Sequence, residues 1–235
     1  MPQATQALSG NLLIAALPRP DRQRLLGECE QIELLVPQAL CMPGDRIRDL
    51  LFPTDGLISL ITAVPGHPSL CIGMIGDEGV LGLWSMLGAT RVPFRADVQR
   101  RGMAWRVSVV AMRRQFDASA ALRRELNRYV CVMLLQRAQA IACACYHTVE
   151  PRLARWLLMT RDRAHSDDFH VTHEALAGIL GVRRAGITRA ASALQMRRMI
   201  RYSRGDVSIL DGRALEAAAC DCYEADRRIY AGAMA

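Results

Sequence analysis

The sequence predicts an α+β protein: an antiparallel, many-stranded N-terminal half, one long central helix, and a helix-turn-helix backed by a hairpin near the C-terminus. Three observations carry this. Residues 31–108 contain short segments rich in Val, Ile, Leu and Phe, separated by turn signals. From Asp117 to His147 apolar or small residues recur at three- and four-residue steps. Residues 172–195 place small, apolar and glycine residues at the spacing of two short helices joined by a sharp turn. A length of 235 residues suits two modest domains joined by a helix.

In chain order, residues 11–29 read as a short amphipathic helix interrupted by Pro18-Arg19-Pro20. Strands are predicted over 31–40, 47–53, 56–64, 69–76, 95–99 and 103–108. They are punctuated by Pro43-Gly44-Asp45, Pro53-Thr54-Asp55-Gly56, Pro65-Gly66-His67-Pro68 and Arg101-Gly102. Many short strands with regular turns indicate an antiparallel barrel or sandwich rather than a parallel sheet.

In the helix that follows, Leu122, Leu126, Tyr129, Met133, Gln136, Ala140, Cys143 and His147 form an unbroken 4-3 series. That is a heptad seam, which faces a partner helix; the alternative is a helix packed on its own barrel. Gln136 and His147 limit it to a modest dimer contact rather than a long dry coil. Pro151 marks a break. Arg152–Arg163 then reads as a helix with Leu153, Trp156, Leu157 and Thr160 on one side, and Asp167-Asp168 as a loop.

Within 172–195, Thr172 suits an N-cap and Glu174 the positive end of a helix dipole. Leu176, Leu180, Val182 and Ile187 supply apolar positions, Ala177 permits a close helix crossing, and Gly181 permits the turn. The second helix would project Arg183, Arg184, Thr188 and Arg189 from its first two turns, the part that enters a major groove. Ile200–Ser203 and Val207–Leu210 flank Arg204-Gly205-Asp206 as a hairpin, which makes a winged helix and brings Arg201 and Arg204 toward phosphate.

All 30 basic residues are arginine, against 23 acidic ones. Their distribution matters more than their total, because attraction to a polyanion depends on local density. Residues 181–205 hold Arg183, Arg184, Arg189, Arg197, Arg198, Arg201 and Arg204 with no Asp or Glu. After Ala214 the balance reverses, with two arginines against Glu216, Asp221, Glu224 and Asp226.

Taken with Val149–Arg163 and Ala217–Tyr223, these stretches resemble the CRP/FNR regulator superfamily over nearly the whole chain. The resemblance implies a cyclic-nucleotide-binding-like double-stranded β-roll as sensor domain (1–116), a dimerisation helix (117–148) and a winged-helix DNA-binding domain with a C-terminal helix (149–235). It further implies a homodimer on a two-fold promoter site, RNA polymerase as a partner, and a small-molecule effector. The expected DNA-binding set is Thr172, His173, Arg183, Arg184, Gly186, Thr188, Arg189, Arg201 and Arg204. Arg184 and Arg189 match family arginines, but Ala185 stands where a base-reading glutamate often sits, so the preferred DNA sequence should differ. The effector pocket would fall at Gly79, Gly82, Leu83 and Arg95. Leu83 cannot accept a ribose hydroxyl, so the effector, whose identity the sequence does not give, is not expected to be classical cAMP. A signalling module whose helix-turn-helix mediates protein contacts is the alternative.

Other chemistry finds little support. Cys29, Cys41 and Cys71 are too scattered for an iron–sulfur cluster. Cys143/Cys145 and Cys220/Cys222 are C-x-C pairs, which on a helix point to different sides, so buried free thiols and no metal are expected, with Cys143 on the dimer seam. His165, His170 and His173 match no zinc spacing. Ser85, Ser108 and Ser119 lack a nucleophile-elbow context, and the chain is not expected to be an enzyme. Neither a signal core nor an apolar run approaching the ~20 residues that span a bilayer is expected, which points to the cytoplasm.

Overall fold

The computed structural model describes residues 10–63, 65–66 and 69–234. Val64 of an expected strand and His67-Pro68 of an expected turn lie outside the described residues. The chain divides into two compact units: 10–61 with 73–131, and the described part of 62–72 with 132–233.

The first unit opens with α1 (Leu12–Ala15) and α2 (Arg19–Gly27), separated where Pro20 enters the first turn of α2. Buried Asn11 accepts from the backbone N–H groups of Leu13 and Ile14, and its amide donates to the carbonyls of Pro53 and Gly79, both at 2.9 Å. One side chain therefore caps α1 and ties it to the end of β3 and to the loop after β5.

Seven strands follow: β1 (Glu30–Leu34), β2 (Ala39–Cys41), β3 (Asp49–Pro53), β4 (Leu57–Thr62), β5 (Leu70–Ile75), β6 (Arg95–Arg100) and β7 (Gly102–Ser108). They form two sheets, β1-β7-β3 and β2-β6-β4-β5. Pairing is antiparallel, with Glu30 opposite Arg106 and Asp49 opposite Ser108. The single strand expected over 31–40 is two strands, parted around Pro37, which has no N–H for a ladder. Leu50, Phe52, Leu57, Ile58, Leu60 and Ile75 are buried.

A helix the sequence reading lacked, α3 (Val109–Ala118), precedes the long α4 (Ala120–Tyr146). Ser108 caps α3 by accepting from Ala111 N–H at 3.1 Å, and Ser119 accepts from Leu122 N–H at 3.0 Å at the start of α4. Ser85 donates to the Gly82 carbonyl. All three serines are thus in structural use.

In the second unit α4 ends, and α5 (Val149–Ala164) begins with Pro151 inside its first turn, where a missing N–H costs nothing. Next come β8 (Asp168–His170), α6 (His173–Leu180), α7 (Arg184–Met196), β9 (Ile200–Ser203), β10 (Asp206–Ile209), α8 (Gly212–Ala218) and α9 (Cys222–Met234). The expected loop at Asp167-Asp168 instead starts β8, which pairs with β10 in a three-stranded sheet β8-β10-β9. Leu153, Trp156, Leu157 and Thr160 of α5 are buried together, and Trp156 meets Phe169 of β8 edge-on at 6.2 Å.

Most of the expected dimer seam is covered within the single chain. Leu122, Leu126 and Tyr129 are buried within the first unit, and Met133 and Cys143 within the second. Gln136 reaches the Asp226 carbonyl at 3.4 Å, Ala140 is half-buried, and Cys143 meets Cys220. Gln136, Ala140 and His147 are half-buried, and the larger side chains of the series are covered by their own chain. A second 4-3 series lies exposed along α4: Ala120, Arg124, Asn127, Cys131, Leu134, Ala138, Ile141 and Cys145. Leu134 is 63% and Ile141 67% exposed. Among the described residues α4 is also the one helix long and apolar enough by composition to cross a membrane, although Arg128 and Arg137 interrupt its apolar stretches.

Candidate nucleic-acid interface

The turn between α6 and α7 is built from the sequence upward. Thr172 Oγ1 accepts from Ala175 N–H at 3.1 Å, which starts α6. Gly181 ends it at φ +64°, a conformation L side chains adopt only at a cost, and Val182 N–H closes the bend on the Ala177 carbonyl at 3.0 Å. Leu176, Ala177 and Leu180 of α6 bury against Ile187, Ala190, Ala191 and Leu194 of α7. The apolar spacing thereby fixes which face of α7 is left outside.

That outer face carries Arg183, Arg184, Ala185, Thr188 and Arg189, all exposed, with Gly186 half-buried beside them. Among the described residues no carboxylate lies in ion-pair range of Arg183, Arg184, Arg189 or Arg204, whereas Arg197 is tied to Glu150. The α7 arginines are held at the N-terminal end of a helix, whose positive dipole adds to their own charge.

His173 links the two helices. Its Nδ1 lies 3.1 Å from Thr188 Oγ1, which also donates to the Arg184 carbonyl at 3.2 Å, and its ring packs on Tyr202 at 4.5 Å between centroids. Burial, then the nearby Arg184 guanidinium, hold its imidazole below the usual histidine range. That shift favours the neutral ring beside the Thr188 hydroxyl. Tyr202 in turn donates its hydroxyl to the Val171 carbonyl and its N–H is held by Gln195 Oε1 at 2.7 Å, so β9 is fastened to both ends of the motif.

The wing turns at Arg204-Gly205, with φ +53° and +95°, the two positive values that suit a tight right-twisted hairpin. Arg204 is exposed at the tip, and Arg201 donates to Ser208 Oγ at 3.2 Å. His170 braces the wing through Asp206 at 2.8 Å, and His165 sits at the C-terminal cap of α5. The expected DNA-binding residues are thus brought together on α6, α7 and the wing.

The expected effector residues are placed differently from one another. Leu83 is buried in a short 3₁₀ turn (Leu83–Ser85), and Gly79 and Gly82 abut the Tyr129 hydroxyl and the Asp49 carbonyl so closely that no Cβ would fit. Arg95 is exposed on β6 and pairs with Asp97 at 2.6 Å.

Sequence reasoning missed one cluster altogether. Cys220 lies in the connector between α8 and α9 and Cys222 opens α9, so the pair does not share a helix, and both sulfurs come together with Cys143 and His147. The C-x-C spacing was the visible signal; its partner was hidden by lying 77 positions away in sequence.

Residues 151–218 match the Crp-like helix-turn-helix domain. Solved structures share the fold at low identity. FixK2 from Bradyrhizobium japonicum is 12% identical with a TM-score of 0.69, covering 82% of this chain and 98% of that one. The c-di-GMP responsive global regulator CLP of Xanthomonas campestris is 15% identical with a TM-score of 0.67, covering 82% and 99%. A CRP-family transcriptional regulator from Thermus thermophilus, TTHB099, is 18% identical with a TM-score of 0.68, covering 80% and 96%. No curated protein matches the sequence closely enough to count as a relative.

Proposed function

We propose that the chain is a CRP/FNR-type transcription regulator that binds promoter DNA as a homodimer, a reading supported by the match of residues 151–218 to the Crp-like helix-turn-helix domain and by the fold it shares with such regulators. The observation that carries the reading is the acid-free outer face of α7, with Arg183, Arg184 and Arg189 exposed and Arg204 exposed at the wing tip, none of them with a carboxylate in ion-pair range among the described residues. Thr188, held by His173, and Arg184 beside it on α7 would read base edges; Arg201, Arg204 and the backbone around Thr172 would serve phosphates. Arginine can hold guanine O6 and N7 with two hydrogen bonds, and Ala185 offers no acceptor for a cytosine amino group, so guanine-containing half-sites without that cytosine contact are expected.

Dimerisation is assigned to the exposed stripe on α4, with Cys131, Leu134, Ala138, Ile141 and Cys145 at alternating four- and three-residue steps. A second copy paired there would cover the apolar side chains that give α4 its membrane-like composition. Two-fold pairing places the recognition helices about 34 Å apart, one DNA turn. RNA polymerase as a partner, a small-molecule effector and a cytoplasmic location follow from the likeness to regulators of this type. Selection of bound sequences from random duplex DNA tests the reading. An inverted repeat with half-sites one turn apart is the expected product; no enrichment over the starting pool would favour protein contacts by the helix-turn-helix instead.

A further inference from the structure

Four side chains that DNA binding leaves unused meet inside the second unit. Cys143 lies in the last turn of α4 and His147 four residues on, which puts both on one side of the helix end. Cys220 and Cys222 come from the α8–α9 connector and the first residue of α9. Cys143 Sγ is 3.5 Å from Cys220 Sγ, and Cys222 Sγ is 3.5 Å from His147 Nδ1. All four atoms lie within 4.8 Å of one another; the three cysteines are buried and His147 is half-buried.

We propose that Cys143, His147, Cys220 and Cys222 form a tetrahedral site for one zinc-class divalent cation. Zinc–sulfur bonds of about 2.3 Å and zinc–nitrogen bonds of about 2.0 Å set ligand atoms roughly 3.5–3.8 Å apart, so the observed cage closes on one ion with movements of about an ångström or less. Three sulfurs and one imidazole nitrogen are a standard closed zinc donor set. A cluster of several irons would need a wider cage, since its sulfide-bridged core stands between the thiolates. A Cys143–Cys220 disulfide would leave Cys222 and His147 gathered for no purpose.

The surroundings suit a metal-thiolate centre. Gln139 Nε2 donates to Cys222 Sγ at 3.0 Å, and the Cys222 backbone N–H points to Cys220 sulfur. Such donors orient and stabilise thiolate ligands. Three thiolates around a divalent ion leave one net negative charge, and the Arg155 guanidinium, itself paired with Asp226, faces Cys143 and Cys220. The ligands flank the whole winged helix in sequence, so the ion would close a loop that begins at the end of α4 and returns after α8. Ordering that loop stabilises the folded domain at the expense of the unfolded chain.

The test uses the full chain purified under reducing conditions. Metal analysis should find about one zinc per protomer, and replacement by cobalt should give intense visible bands of tetrahedral cobalt with a thiolate charge-transfer band. Cys222→Ser should lower that charge-transfer intensity by about a third, since one of three thiolates is lost. Cys145→Ser, exposed and outside the cage, should leave it unchanged. Chelation of the wild-type protein should lower its unfolding temperature. The proposal is overturned by a reduced wild-type protein that takes up neither metal, by cobalt bound without thiolate bands, by equal loss in Cys145→Ser, or by a Cys143–Cys220 disulfide in the freshly reduced protein. Should Cys222→Ser not fold, the wild-type metal content and cobalt spectrum still decide the matter.

Discussion

Replacing Leu134 by aspartate should break the dimer while leaving the protomer folded. Leu134 is 63% exposed in the single chain, so pairing α4 with a second copy would bury most of its side chain. Full burial of a leucine contributes about 1.5–3 kcal/mol, so the exposed share contributes about 1.5 kcal/mol per copy and about 3 kcal/mol for the two copies. That is roughly a 100-fold weaker dimer from the lost apolar burial alone, and a buried carboxylate adds a desolvation cost. Sedimentation equilibrium gives the dissociation constant, and thermal unfolding of the monomer gives the stability, which should change little. Met133→Ala is the mirror experiment: Met133 is buried in its own chain, so truncation should cost about 2–5 kcal/mol of stability. A Leu134→Asp protein that dimerises as tightly as wild type, beside a folded Met133→Ala protein that does not, would refute the assignment and return the seam to the Met133 face.

Two further outcomes follow from the recognition surface. Arg184→Ala should weaken binding to the selected site by about 10- to 100-fold, as expected for loss of a bidentate base contact, and weaken binding to unrelated duplex much less; equal losses would reduce Arg184 to a phosphate contact. His173 is held below its ordinary value of 6.5 in the folded protein. The unfolded chain then binds the extra proton first, so stability is full above pH 6.5 and declines as pH falls below it. Thermal unfolding across that window should show the decline, and His173→Gln should flatten it; an unchanged slope would mean another group titrates.

How much of this was legible in the sequence depends on how local each signal is. The helix-turn-helix could be read residue by residue, because Thr172, Ala177, Gly181 and the apolar positions satisfy the motif within one short stretch. The β8 strand could not, since Asp168, Phe169 and His170 are too few to show an alternation and their partner, β10, lies some 40 residues away. The two faces of α4 are hard to tell apart for a different reason. Helix α4 carries two 4-3 series, and the bulkier one, through Leu126, Tyr129 and Met133, is the one its own chain buries. Periodicity shows that a helix has an apolar face but not which neighbour covers it. The cysteine cluster needed tertiary structure, because it joins the end of α4 to a connector after the whole winged helix. Treating Cys220-Asp-Cys222 as helical hid it; the residues straddle a helix start, where two positions apart need not mean opposite sides.

The central claim is that the arginines of α7 and the wing meet the phosphates and bases of duplex DNA. The most direct measurement is the salt dependence of binding to a duplex carrying the selected site. With about four phosphates neutralised per protomer and about eight per dimer, log K should fall with log salt at a slope near −7, and Arg204→Ala should reduce that slope by about 2 per dimer. Binding that barely changes with salt, or a slope that Arg204→Ala leaves untouched alongside Arg183→Ala and Arg189→Ala, would contradict it.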